Sequence, residues 1–133
     1  MLHPTLSNLG ANAEIDALTA LLDSGTFEIY GGSQPVSADD PVTTQPLLAT
    51  LTFSSPAFQS GVAGRAEANA IISDPDATGG DDATWYRLKT LGGAAVCDGT
   101  VGTVGANLNL NSVTIPPHIE FSISNWALTA RKS

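Results

Sequence analysis

Ile119-Glu120-Phe121-Ser122-Ile123-Ser124 alternates apolar and polar residues without a break. A period of two sends Ile119, Phe121 and Ile123 to one side of an extended chain and the polar residues to the other. The stretch therefore predicts a strand with one buried and one wetted face. The strand is expected to continue towards Ala130, its apolar phase passing to Trp126 and Leu128 through a bulge near Asn125.

The same period recurs upstream. Thr26–Tyr30 is β-branched and aromatic and stops at Gly31-Gly32. Leu47–Phe53 sets Leu47, Ala49, Leu51 and Phe53 against Leu48, Thr50 and Thr52. Ala63–Ile72 suits a helix by its alanines but alternates like a strand, and is assigned as one. Thr84–Thr90 places Trp85, Arg87 and Lys89 opposite Tyr86 and Leu88, and Gly92-Gly93 turns it into Ala94–Asp98 as a hairpin. Leu108 and Leu110 alternate with Asn107, Asn109 and Asn111; Val113 and Ile115 follow before Pro116-Pro117 forbids further ladder bonds. Ser33–Pro46 and Ser73–Asp82 read as loops, and Gly99–Gly105 as turns. About seven or eight short strands with close-set turns predict a mainly β chain, a jelly-roll-like sandwich or small barrel.

One N-terminal amphipathic helix is expected before the strands. Asn12 is the candidate cap, Glu14 and Asp16 suit the positive end of the helix dipole, and Ile15, Leu18, Leu21 and Leu22 share a face. Ser24-Gly25 is the expected stop. Residues 1–11, with Leu2, Leu6 and Leu9 but no period, are read as an arm, and residues 12–133 as a single β domain.

Composition narrows the function classes. The net charge of −8, with only five lysines and arginines, opposes binding to a phosphate backbone. No apolar run reaches the roughly 20 residues that span a bilayer, and no signal peptide is expected at the N-terminus. The single cysteine, Cys97, cannot close an internal disulfide, suits a reducing cytosol and reads as a buried, inert thiol.

Candidate chemistry is sparse. Asp74, Asp76, Asp81 and Asp82 surround Gly79-Gly80, but counting from Asp74 the twelfth position of a calcium loop holds Trp85, not glutamate, so a solvated acidic turn is expected. His3 and His118 lack a nucleophile-elbow partner and read as exposed. Trp85, Tyr86 and Trp126 are read as core anchors, with an aromatic platform for a sugar or protein as the competing assignment. No catalytic residue, cofactor or metal ligand is assigned, and no enzymatic activity is expected.

Several blocks together resemble a family of small proteins encoded among the structural genes of tailed bacteriophages: Asp16–Tyr30, Gly32–Pro35, Leu47–Phe58, Gly61–Asp74, Ala77–Arg87 and Asp98–Ser112. The resemblance implies a virion component, its best analogue being the jelly-roll cement protein that decorates and locks the head shell of some short-tailed phages. It implies a capsid decoration protein that is made in the host cytoplasm and resides on the phage head. The major capsid protein would be its partner, and self-association into a dimer or trimer would be expected. Candidate partner-contact residues are Leu2, Leu6 and Leu9 of the arm and the cations Arg131 and Lys132. The alternative is a tail- or fibre-associated module that recognises a host glycan or another virion protein.

Overall fold

Thr26–Tyr30, now β1, is the centre of a six-stranded sheet in the computed structural model, which describes residues 5–130. Helix α1 (Asn8–Ala20) precedes it. After it come β2 (Leu47–Phe53), β3 (Arg65–Glu67), β4 (Ile71–Ile72), β5 (Asp74–Ala77), β6 (Asp81–Asp82) and β7 (Trp85–Lys89). The chain continues through β8 (Ala95–Gly102), β9 (Leu108–Asn109), β10 (Thr114–Ile115), β11 (Ile119–Phe121) and β12 (Ala127–Thr129). The sheet order is β4-β2-β1-β7-β8-β9, antiparallel except for the β8–β9 pair, and the sheet curls into a half-barrel. Three two-stranded ribbons, β10–β6, β11–β5 and β12–β3, complete a mainly β chain with one helix.

Register explains the core. Phe27 lies between Leu51 and Leu88, and Ile29 between Ala49 and Tyr86, so one sheet face is apolar across three strands. Phe27, Ile29, Leu51 and Leu88 are fully buried. The Phe27 ring sits 5.7 Å from Phe53, 5.1 Å from Tyr86 and 4.8 Å from Trp126, centroid to centroid. A bulge reshapes the expected alternation of β2: Tyr30 pairs with Leu47 and Ile29 with Ala49, leaving Leu48 between them unpaired. Leu48 thereby turns into the core, whereas Leu47 is 39% exposed.

The opposite face is also largely covered, and its polar groups are satisfied internally. Arg87 and Asp98 face each other across β7 and β8 in a two-pronged ion pair, Nε to Oδ1 at 2.7 Å and Nη2 to Oδ2 at 2.9 Å. Their side chains are 4% and 5% exposed. Lys89 Nζ meets Glu28 Oε1 at 2.9 Å, and the Tyr30 hydroxyl donates to the same oxygen at 2.6 Å. Burial, then this bond to Glu28, pushes the Tyr30 phenol well above its ordinary value. Tyr30 stacks on Trp85 at 4.5 Å, and the Trp85 indole donates to the Gly31 carbonyl at 3.1 Å. The hairpin expected over residues 84–98 is present as β7–β8.

Elsewhere the structure corrects the sequence reading. Ser7, not Asn12, caps α1: its Oγ accepts the Gly10 amide at 3.2 Å, so the chain is helical from residue 8 and only the earlier part of the expected arm precedes the helix. Asn12 is occupied elsewhere. Its Oδ1 accepts the Gly64 amide at 2.7 Å, while Asp16 accepts Gly61 at 2.7 Å and Asp23 accepts Ala57 at 2.8 Å, clamping the 57–64 loop to the helix and to the turn that follows it. Thr19 faces inward with Ala11 and Ile15, and Leu21 lies beyond the last helical turn, 55% exposed. The left-handed residue after the helix is Ser24 (φ 59°); Gly25 is required because a Cβ there would overlap the Lys89 carbonyl oxygen.

The 63–72 strand is interrupted because its parts choose different partners. Its β3 part pairs with β12, Ala68 bridges Phe58, and β4 pairs with β2. The 73–82 loop contains β5 and β6. Asp74 Oδ2 accepts the Thr50 amide at 2.9 Å and the Gly79 amide donates to the Leu48 carbonyl at 2.9 Å, so this segment follows the β2 edge despite Pro75. Gly99 and Gly102 belong to β8 instead of a turn, and the Tyr86 ring fills the space a Cβ on Gly99 would take. The 119–130 strand is broken at residues 122–126, since β11 pairs with β5 and β12 with β3.

Two carboxylate deletions test the buried network. Asp98→Ala strands the Arg87 guanidinium and is expected to lower unfolding free energy by about 3 kcal/mol in urea titration. Glu67→Ala, which removes the exposed partner of Arg65, is expected to cost less than about 1 kcal/mol. Equal effects would contradict the ranking.

Candidate binding groove

Two polar faces predicted by alternation come together at the open side of the β9 edge. Along residues 107–111 the core takes Leu108, and Asn107, Asn109 and Asn111 are left exposed. Along residues 122–125 the core takes Ile123, and Ser122, Ser124 and Asn125 are left exposed. With part of β3 and the side chain of Trp126 they line a groove of about 590 Å³. That volume lies within the roughly 300–1,000 Å³ of small-molecule sites.

Trp126 fixes the geometry. Its indole N–H donates to the Asn107 carbonyl at 3.0 Å, tying the two polar stretches together. Its ring packs against Phe27, against Tyr86 at 5.4 Å and against Phe58 at 6.2 Å. Trp126 is partly buried against the core, while Trp85 and Tyr86 are buried, so the three aromatics do not form one platform.

The lining carries little net charge. Arg65 and Glu67 are paired to each other at 2.7 Å, and the other polar groups are amides and hydroxyls. Asn107 Oδ1 accepts from the Thr100 amide at 3.0 Å, and Asn109 forms two bonds with the Ala106 backbone. Asn111, Ser122, Ser124 and Asn125 make no side-chain hydrogen bond among the described residues. Such a surface can bind a neutral polar ligand, and among the described residues it contains one carboxylate, already paired.

The other candidate residues are dispersed. Leu2, His3, Arg131 and Lys132 lie outside the described residues. Leu6 is half-buried against the core, and Leu9 is 83% exposed. Leu9, Asn12 and Asp16 follow one row of the helix, and the loop clamped there carries Val62, 73% exposed. His118 meets Asp76 at 2.9 Å, with both side chains solvated. Asp74 caps backbone amides, Asp82 accepts from the Thr114 hydroxyl, and no group of three His, Cys, Asp or Glu side chains suited to a metal occurs among the described residues. No helix among them is long and apolar enough to cross a membrane. No protein-family model, curated protein or solved structure matches the chain.

Burial and the Asp98 carboxylate push the half-buried Cys97 thiol up to about 11. The folded state thus holds this proton more tightly than the unfolded chain. The resulting stabilisation is present below the ordinary value near 9 and is lost as pH rises through about 11. Iodoacetamide should label the native protein slowly at neutral pH, with the rate rising to a midpoint near pH 11. A midpoint near the free-cysteine value of about 8.5 would show an ordinary, accessible thiolate.

Proposed function

We propose that this chain is a virion structural protein, a capsid cement or decoration protein of a tailed phage that binds across capsomer junctions and stabilises the head. Its curled sheet and ribbons are read as a jelly-roll-like or small-barrel scaffold. The observation that carries the proposal is the exposure of apolar side chains on α1 and on the loop clamped to it, on a scaffold whose buried ion pair is closed internally. Leu9 on α1 and Val62 on the loop that Asn12 and Asp16 tie to α1 are both exposed, and Leu6, just before the helix, is half-buried against the core. A rigid surface of this kind orders few side chains on docking and so loses little entropy.

Function then resides in contact. The chain is non-enzymatic in this reading, acts as a dimer or trimer, and has the major capsid protein as partner. Binding only the assembled lattice stabilises that lattice by mass action, by an amount that grows with the logarithm of one plus the free concentration over Kd. The net charge of −8 steers the protein towards basic shell surface and away from nucleic acid. The polar groove supports a second reading, a tail- or fibre-associated module recognising a host glycan or another virion protein.

Co-sedimentation with heads that lack the protein tests the first reading. The wild type should pellet with expanded heads, and Leu9→Asp with Val62→Asp should weaken binding by about tenfold or more while the melting temperature is retained. Absence of the wild type from the head pellet would refute head decoration.

A further inference from the structure

We propose that the groove beside Trp126 is a binding site for a neutral oligosaccharide. The inference deepens the second reading above by naming the ligand class, and the site is compatible with either position on a particle. A sugar ring presents neighbouring hydroxyls that both donate and accept, together with an apolar face of C–H groups. The groove supplies a counterpart for each.

Asn111, Ser122, Ser124 and Asn125 are exposed and make no side-chain hydrogen bond among the described residues. Two amides and two hydroxyls can each act as donor and acceptor, which suits vicinal diols better than a purely anionic or cationic ligand. The partly buried Trp126 supplies the apolar part of the lining beside them. Its indole N–H is held by the Asn107 carbonyl and its ring by Phe27, Phe58 and Tyr86, so the part of it that borders the groove is fixed before a ligand arrives.

Charge selects against the alternatives. The Arg65 guanidinium at the groove is matched by Glu67 at 2.7 Å, so among the described residues of the lining no cation is left free for a phosphate or carboxylate. The overall charge of −8 opposes an acidic glycan further. Hydrolysis is not part of the inference, because glycoside cleavage commonly uses two carboxylates across the bond and Glu67 is the one carboxylate among the described residues of the lining.

The test uses the purified full chain on an array printed with neutral and acidic polysaccharides and their short soluble fragments as competitors. Neutral glycans should bind, and neutral fragments should compete whether the sugar comes from a surface polymer or a free oligosaccharide. The paired substitutions Asn111→Ala with Asn125→Ala, and Ser122→Ala with Ser124→Ala, should each weaken binding by about tenfold or more with unchanged circular dichroism. Binding confined to acidic glycans, no glycan binding, or full affinity in both paired variants would each overturn the site. Head co-sedimentation of the same variants separates the two ideas: the groove inference expects glycan loss with head binding intact, whereas head decoration fails only if the wild type does not pellet.

Discussion

The packing of Phe27 against Phe53, Tyr86 and Trp126 is the contact on which the rest of the molecule depends. Phe27 and its neighbours come from β1, β2 and β7, so their burial selects the register of the central sheet. Trp126 comes from far later in the chain and couples that sheet to the residues leading into β12. Burying a large aromatic side chain contributes about 1.5–3 kcal/mol, and edge and offset ring contacts add about 0.5–1.5 kcal/mol. A slip of one residue in β1 would exchange Phe27 and Ile29 for Thr26, Glu28 and Tyr30 and lose the cluster at a stroke.

That constraint leaves the second face of the sheet with polar residues it must also cover. Arg87, Asp98, Glu28, Lys89 and Tyr30 meet the requirement by pairing among themselves, with Trp85 stacked beneath Tyr30. A buried ion pair adds little net stability over an apolar pair of the same shape, but it is costly to break. Its effect is therefore on specificity: Arg87 opposite Asp98 penalises any other alignment of β7 with β8. The Tyr86 ring over Gly99 acts in the same direction, since a side chain at residue 99 would have to displace it.

Rigidity reaches the groove through Trp126. One side chain belongs to the aromatic core, bonds the backbone of Asn107 and lines the polar cleft. The free amides and hydroxyls around it are carried by backbone whose intervening residues, Leu108 and Ile123, are buried. Polar groups displayed on alternate positions of anchored chain hold their spacing without needing bonds among themselves. The helical edge follows the same principle, with Asn12 and Asp16 holding the loop that carries Val62.

The amino-acid order alone determined the β class, the N-terminal helix, the hairpin through Gly92-Gly93 and the polar alternation at Asn107–Asn111 and Ser122–Ser124, because side-chain period and turn chemistry are local properties of the backbone. Of the inward row of α1 only Ile15 was legible, with half-buried Leu18 beside it, since Ala11 was assigned to the arm, Thr19 is polar and Leu21 faces solvent. Only the tertiary structure decided which strands pair, that Leu48 turns inward at a bulge, that Ser7 caps the helix while Asn12 serves a loop, and that the last strand divides between two ribbons. It also decided that the two polar stretches share a groove across Trp126. Every strand offers the same backbone donors and acceptors, so partner choice follows from which long-range burial of Phe27, Trp126 and the Arg87–Asp98 pair can be satisfied together.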